Sequence, residues 1–438
     1  MSRTSRRRAI ATAAVTALTA SMALAGLAPS ASAQVPDGTR FFVPKPNPDA
    51  KTQIRSLDQA GRHRAADRIR ALVTTPSAVW VETGSPRQAR QQVRQITKQA
   101  KAERTVPLLV LYDIPFRDCA QYSAGGATTV AEYEAWVDGV AAGIGNRKAA
   151  IALEPDSIGI IPFYTSVDGV AEWCKPAEAD AATAAADRFA MLNYAVDRLT
   201  ALPRTSVYLD GTHNGWLNVG DVSDRLLKAG VAKADGMFFN TSNYQWTQNV
   251  EQYGTWVSSC LAYLTKVDAG GVANCGNQYW SGGPANDFTG VSLDPAKKWS
   301  DTATDPTANT AGINSRYAAQ LGDVEPSKSF LVDTSRNGRG PWVPTAAQAA
   351  WPDPQVWCNP PRRGLGPQPT TRTSTPLADA YVWIKVPGES DGQCSRGLGT
   401  GNDVVDPIWG RVDPAAGQWF GRQALQLTRL ADPELPLR

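Results

Sequence analysis

Residues 149–160 read AAIALEPDSIGI: five small or branched apolar residues, then Glu154, Pro155, Asp156 and Ser157 with no transition between. An apolar run this short suits a strand buried on both faces. Acids placed where a strand ends add nothing to a core. Two readings compete. Asp156 or Ser157 caps a following helix, or the strand end carries chemistry. Recurrence elsewhere in the chain decides between them.

The pattern recurs six times. AVWV (78–81) stops at Glu82, and VPLLVLY (106–112) stops at Asp113. SVYL (206–209) runs into Asp210-Gly211-Thr212-His213, and GMFF (236–239) into Asn240-Thr241-Ser242-Asn243. SFLV (329–332) meets Asp333-Thr334-Ser335-Arg336. AYVWI (380–384) meets Lys385, with Glu389 and Asp391 just beyond. Alanine-rich helical stretches separate these runs, as a parallel sheet requires. In an α/β barrel, catalytic groups gather at the C-terminal ends of the strands. Seven polar clusters at seven such ends favour chemistry over seven unrelated caps. Val250–Leu264 and Ala415–Ala431 read as helical. Cys275 to Thr310 is a long Gly-, Pro-, Asp- and Asn-rich loop, the kind that binds or stays disordered.

The first residues carry Arg3, Arg6, Arg7 and Arg8, then an apolar stretch from Ala9 to Leu27 and the A-x-A site Ala31-Ser32-Ala33. This is the form of a cleaved export signal, so residues 1–33 are expected to be removed and 34–438 to form one catalytic domain. The whole chain has 44 basic and 41 acidic residues, a net +3. Without the four leader arginines the balance becomes 40 against 41, or −1. No basic footprint for nucleic acid or an anionic membrane remains. No other segment is long and apolar enough to span a bilayer. The six cysteines form no C-x-x-C pair and share the chain with only His63 and His213. In an exported chain this favours disulfides over a zinc site.

No G-x-S-x-G elbow occurs, and no glycine loop of nucleotide-binding type follows a strand. The strand ends offer carboxylates and tryptophans instead. Glycoside hydrolysis needs one carboxyl to protonate the leaving oxygen and a second on the other face of the sugar. Indole rings stack on the apolar faces of pyranoses. Trp216, after a polar loop, reads as such a platform, whereas Trp383, mid-strand, reads as core.

The motifs LYDIPFRDC, LEPDS, YLDGTHNGW, NTSNYQW, VDTSRNGRGPW, WCNPPRRGLG and WIKVPGESDG resemble, in order, those of glycoside hydrolase family 6. That family comprises endoglucanases and cellobiohydrolases acting on β-1,4-glucan. The resemblance implies a distorted seven-stranded parallel β/α barrel and an inverting reaction. It makes Asp156 the general acid, Asp118 the carboxylate supporting that acid's protonation, and Tyr112 the tyrosine beneath the distorted sugar. Asp391 matches the proposed base, and Ser123 a serine that positions the attacking water. Trp80, Trp216 and Trp357 match stacking platforms. Glu82, His213, Asn243, Lys385 and Glu389 match hydrogen-bonding partners. The resemblance pairs Cys119 with Cys174 and Cys358 with Cys394, leaving Cys260 for Cys275. Asp210 is expected to brace its loop. No metal or cofactor is required by acid–base chemistry of this type.

The leader and the resemblance together lead to the expectation of a secreted, monomeric enzyme with β-1,4-glucan as its partner. One residue, Gln393, separates Gly392 from Cys394, which implies a shortened loop, an open cleft and attack on internal bonds. The 275–310 loop and the segment after Thr400 could instead cover the groove, as in an exo-acting cellobiohydrolase. A glucan-binding protein without activity is the alternative of a different class. It has no need for Asp118, Asp156 and Asp391 together.

Overall fold

The computed structural model describes residues 35–399 and 403–437; the expected leader, residues 1–33, lies outside the described residues. Seven strands form one parallel sheet in sequential order: β1 Val79–Val81, β2 Leu108–Leu111, β3 Ala149–Leu153, β4 Thr205–Asp210, β5 Gly236–Phe239, β6 Ser329–Asp333 and β7 Ala378–Val382. Register is continuous across the first four strands, with Val79 opposite Leu109, Leu109 opposite Ile151 and Ile151 opposite Val207. The sheet curls until its edges meet. The Ala78 N–H donates to the Trp383 carbonyl (2.8 Å), and the Trp80 indole donates to that of Ile384 (2.9 Å), with no ladder between β1 and β7. This is a distorted seven-stranded β/α barrel.

Alternation along the strands builds two apolar layers. Leu108, Val110, Ala150, Ala152, Tyr208, Phe238, Leu331, Ala380 and Val382 pack together inside the barrel, with Val35 and Phe41 of the N-terminal segment. Small alanines there accommodate the large rings of Tyr208 and Phe238. The intervening residues, among them Leu109, Ile151, Leu153, Val207, Met237 and Phe330, face outward onto helices that contribute Trp136, Leu192, Val196 and Trp256. Each such side chain stabilises the fold by about 1.5–3 kcal/mol when fully buried.

Two strands differ from the sequence reading by two residues at an end, for identifiable reasons, whereas β1, β4 and β6 differ by single residues, with β1 starting at Val79, β4 spanning Thr205–Asp210 and β6 ending at Asp333. β2 omits Val106 and Pro107: Val106 exchanges backbone hydrogen bonds with Arg40 and Phe42 (2.8 and 2.9 Å), and proline has no N–H to give. β7 begins two residues early and stops at Val382, because the Asp333 carboxylate takes the N–H groups of Ile384 (3.2 Å) and Lys385 (3.0 Å). Trp383 is buried, as its reading as core requires, and packs with the outer helices. The first helical reading extends to Thr247–Lys266, whereas the last is helical only over Gly421–Arg429. Before Gly421 the chain turns at Ala416-Gly417, with the Gln418 N–H donating to the Ala415 carbonyl (3.0 Å), and Trp419 then bridges to Glu389.

The long loop after Cys275 is ordered. Asn249 receives the Trp299 N–H (2.8 Å) and donates to the Lys297 carbonyl (2.8 Å), while Trp299 stacks on Trp256 at 5.8 Å. The cysteines pair as Cys119–Cys174, Cys260–Cys275 and Cys358–Cys394.

Candidate active site

The C-terminal ends of the strands open into a cleft of about 1160 Å³. Its wall brings together Trp80, Glu82, Tyr112, Asp118, Ser123, Asp156, His213, Trp216, Asn243, Trp357, Lys385, Glu389 and Asp391, every catalytic or substrate-contacting position singled out from the sequence.

No helix begins at Asp156 or Ser157; the next one starts at Ala184. The backbone turns sharply instead, with Glu154 and Asp156 at φ 52° and 64°. Non-glycine residues in the left-handed region persist only where their surroundings over-determine them, and three such constraints act here. The buried Glu154 carboxylate accepts the N–H groups of Asp113 and Ile114 (each 3.1 Å), locking the turn after β2 to the turn after β3. The buried Arg188 guanidinium donates to the carbonyls of Ser157 (2.8 Å), Ile160 (2.9 Å) and Pro115 (2.8 Å), tying the same two turns from below. Gly159 lies under the Trp216 indole, where a Cβ would fall 2.4 Å from the ring.

Burial pushes the Asp156 carboxyl well above its ordinary range, and negative charge on Asp210 and then Asp118 pushes it further. The Asp156 carboxyl is therefore biased toward its neutral, protonated form. Asp118, at φ 55°, accepts the Ser123 N–H at 2.6 Å. Burial raises it to about 6, with the Ser123 N–H and the Arg117 charge holding it back. The larger charge on Asp156 comes from Asp210, which the sequence reading placed only as a loop brace. It does brace the loop, accepting the Thr212 N–H at 3.0 Å. Burial also lifts it to about 7, with the Thr212, Asp156 and Gly211 peptides opposing.

Arg117 has a place in the site that the sequence reading did not assign. It donates to the carbonyls of Ser123 (2.9 Å), Glu82 (2.6 Å) and Tyr112, and lies 4.8 Å from the Tyr112 ring centroid. Tyr112 packs edge-on against Trp80 at 5.4 Å. Burial and the charges of Asp156 and Asp118 keep its phenol protonated.

Asp391 stands in the opposite field. One carboxylate oxygen accepts from Arg336 (2.9 Å), Tyr244 (3.1 Å) and the Asn359 N–H (2.9 Å); the other lies 3.5 Å from the Lys385 ammonium. Arg336 and Lys385 outweigh burial and hold the carboxyl below its ordinary value. Asn359 also accepts the Asp391 N–H and donates to the Gly392 carbonyl (each 2.9 Å), so the acid is fixed from both sides of its peptide. Lys385 donates to the Ser390 carbonyl (3.0 Å), and Glu389 is raised by burial.

The remaining positions are held by neighbours of their own. His213 is pushed down to about 4 by burial and is neutral; its Nδ1 accepts the Gly215 N–H (3.1 Å), which leaves Nε2 as the donor. Its ring lies 5.9 Å from Trp216, and Tyr122 lies 5.9 Å from Trp357. Asn243 Oδ1 accepts the Tyr244 N–H at 3.2 Å. Both segments that could cover the groove reach its wall, through Asp294-Pro295-Ala296 and through Ala416, Gly417 and Trp419. Among the described residues, the one cluster with possible metal ligands is Cys394, Asp406 and Asp413. Its sulfur is committed to a disulfide, and Asp406 is ion-paired with Arg396 at 2.7 Å.

The family model for glycosyl hydrolases family 6 matches residues 36–431. Among curated proteins, the chain is 29% identical over 384 residues to endoglucanase A of Cellulomonas fimi, covering 87% of this chain and 60% of that one. It is 28% identical over 433 residues to a probable 1,4-beta-D-glucan cellobiohydrolase C of Aspergillus niger, covering 92% and 79%. A solved structure of the endoglucanase Cel6 from Mycobacterium tuberculosis, in complex with methyl-cellobiosyl-4-deoxy-4-thio-β-D-cellobioside, aligns with a TM-score of 0.61. It shares 28% identity and is covered over 99% of its length by 91% of this chain.

Proposed function

The chain belongs to family 6 of the glycosyl hydrolases, and from that premise we propose that it is a secreted, inverting endo-β-1,4-glucanase. The observation that carries this reading is a pair of carboxyl groups on one cleft whose affinities for protons are driven apart. Asp156 is raised by burial, Asp210 and Asp118; Asp391 is lowered by Arg336 and Lys385. One is thereby suited to give a proton and the other to stay ionised, the division of labour that glycoside hydrolysis uses.

In this mechanism a glucan chain lies along Trp80, Trp216 and Trp357, with one ring distorted over Tyr112. Asp156 donates its proton to the glycosidic oxygen as the C1–O bond breaks. A water held near Ser123 attacks C1 from the opposite face, and its proton passes to Asp391. The product carries the inverted α-configuration at the new reducing end. The ionised Asp391 and the Tyr112 face stabilise positive charge developing on the sugar. Neither proton transfer needs a metal or an organic cofactor.

The endo assignment rests on the short Gly392–Cys394 link, which leaves little chain to arch over the cleft. The specific observation favouring an exo-acting cellobiohydrolase is that Asp294–Ala296 and Ala416–Trp419 both border the groove. The Cellulomonas relative is named an endoglucanase and the Aspergillus relative a cellobiohydrolase. We place residues 34–438 in one catalytic domain, exported by the 1–33 leader and working as a monomer. No helix among the described residues is long and apolar enough to cross a membrane.

Viscosity loss measured against reducing-end release on carboxymethylcellulose tests this reading, with Asp156→Ala as control. The expected result is a rapid viscosity drop with few new ends, reduced at least ~100-fold in the variant. Slow viscosity loss with steady cellobiose release selects the exo reading. Folded wild type without activity on any β-glucan sinks the enzyme and leaves a glucan-binding protein.

A further inference from the structure

Of the fourteen tryptophans in the chain, all within the described residues, Trp173 alone is more than half exposed, at 54%. Among the described residues it has neither a hydrogen-bond partner nor a ring neighbour. Yet it lines the same cleft as Asp156 and Trp216. An exposed indole forfeits the stabilisation that burial would bring, so its persistence on a functional wall calls for a ligand. The exposed Val167 and Val170 sit on the same loop but do not line the cleft. The indole is thereby set apart from a general apolar surface.

The segment carrying Trp173 is rigid. Glu172 donates its N–H to the Tyr164 carbonyl and Ser166 to that of Val170 (2.8 Å each), with Thr165 bridging Ala171, so residues 164–172 form a tight antiparallel turn. Cys174, next in the chain, is bonded to Cys119 beside Asp118, and its carbonyl accepts the Phe163 N–H at 3.0 Å. Two side chains lash the turn to the element after Trp216. Glu172 pairs with Arg225 at 2.6 Å, and Asn218 donates to Asp168 at 2.7 Å. Arg225 also donates to the Ile158 carbonyl (2.8 Å), in the turn that follows Asp156. Trp173 is thus held in fixed relation to both the acid and the Trp216 platform.

We propose that Trp173 is a further glucan-stacking platform, extending the cleft beyond Trp216 by at least one sugar ring. Its indole face meets the apolar face of a β-1,4-linked glucosyl residue, and its N–H is free to donate to a hydroxyl of that sugar. Because the disulfide, the ion pair and the tight turn already immobilise the segment, binding orders little that was free. This inference rests on the glucanase reading above and adds to it a preference for longer chains.

The test compares kcat/KM on soluble cello-oligosaccharides from three to six units for wild type, Trp173→Ala and Trp173→Phe. In Trp173→Ala, the ratio of kcat/KM for cellohexaose to that for cellotriose is expected to fall about tenfold. The loss should lie in KM more than in kcat, with Trp173→Phe recovering most of it. Trp173 is exposed and unpartnered, so thermal unfolding midpoints of the three proteins should agree. A ratio that stays constant across chain length overturns the proposal. So does a loss seen only on insoluble cellulose, because the indole would then hold a surface rather than a sugar in the cleft. Wild type inactive on every oligosaccharide is a different outcome: it removes the glucanase reading itself.

Discussion

Asp156 and Asp391 are the same side chain in opposite fields, and the difference lies in what surrounds each. Asp391 has Arg336, Lys385, the Tyr244 hydroxyl and the Asn359 N–H around it. Asp156 has only burial and two other acids. Activity that needs Asp156 protonated is lost as pH rises through its folded pKa. Replacing Asp210 by Asn removes the larger of the two charges that raise this pKa. The alkaline limb of the kcat profile should therefore move to lower pH. Asparagine keeps an oxygen for the Thr212 N–H, so the loop should hold. The acid limb should not follow, because it reports Asp391, whose carboxyl is held down by Arg336 and Lys385 and not by Asp210. An alkaline limb that stays in place would show that Asp118 suffices. The acid itself was legible in the sequence because an acid directly after an apolar strand is conspicuous. The influence of Asp210 was not, because it depends on β3 and β4 lying side by side in the sheet, with Leu153 opposite Leu209. Arg117 was missed for a similar reason: its work is done through carbonyls, which carry no sequence signal.

At the scale of elements, apolar runs and their polar ends marked all seven strands, because strands buried on both faces must be apolar throughout. Strand limits set by side-chain capture of backbone groups were not legible, as with Asp333 taking two N–H groups and ending β7 at Val382. The disulfides show how elements divide stability from activity. Cys260–Cys275 closes a 15-residue separation behind the helix Thr247–Lys266, and neither cysteine lines the cleft. Its removal as the double alanine variant should cost about 3 kcal/mol of stability and leave kcat within about twofold. Cys358–Cys394, with a separation of 36, flanks Asn359 and the Asp391 loop. Its removal should cost a similar ~4 kcal/mol. It should also lower kcat at least about tenfold, because the hydrogen bonds that fix Asp391 lose their frame. Denaturant melts and steady-state kinetics on both double variants check the contrast. Equal kinetic effects would show that Asn359 needs no covalent support.

Across the whole molecule, the burial that raises Asp156 also raises other acids, and together they set how stability depends on pH. Burial raises Asp118 to about 6, Asp113, Asp210 and Asp413 to about 7, and Glu154 to about 8. Their unfolded values lie near 4, so between about pH 4 and 8 the folded chain binds more protons than the unfolded one. The stabilisation is complete below the unfolded pKa and is lost as pH rises through each folded pKa. Asp391, Asp305 and His213 are shifted downward and act in the opposite sense; the window of the two acids closes near pH 4, and His213, at about 4, offsets part of the slope with one proton up to about pH 6.5. The thermal midpoint should therefore fall as pH rises from 5 to 8, by about 10–15 °C for a chain of this length. Glu154→Gln should flatten this slope and raise the midpoint at pH 8, since the amide oxygen can still accept the Asp113 or Ile114 N–H without carrying charge. Scanning calorimetry at constant ionic strength measures both effects. A midpoint that rises between pH 5 and 8 would mean that these acids are ionised and compensated in the fold. The proton held on Asp156 would then lose its physical basis along with the stability argument, because burial is the first cause invoked for both.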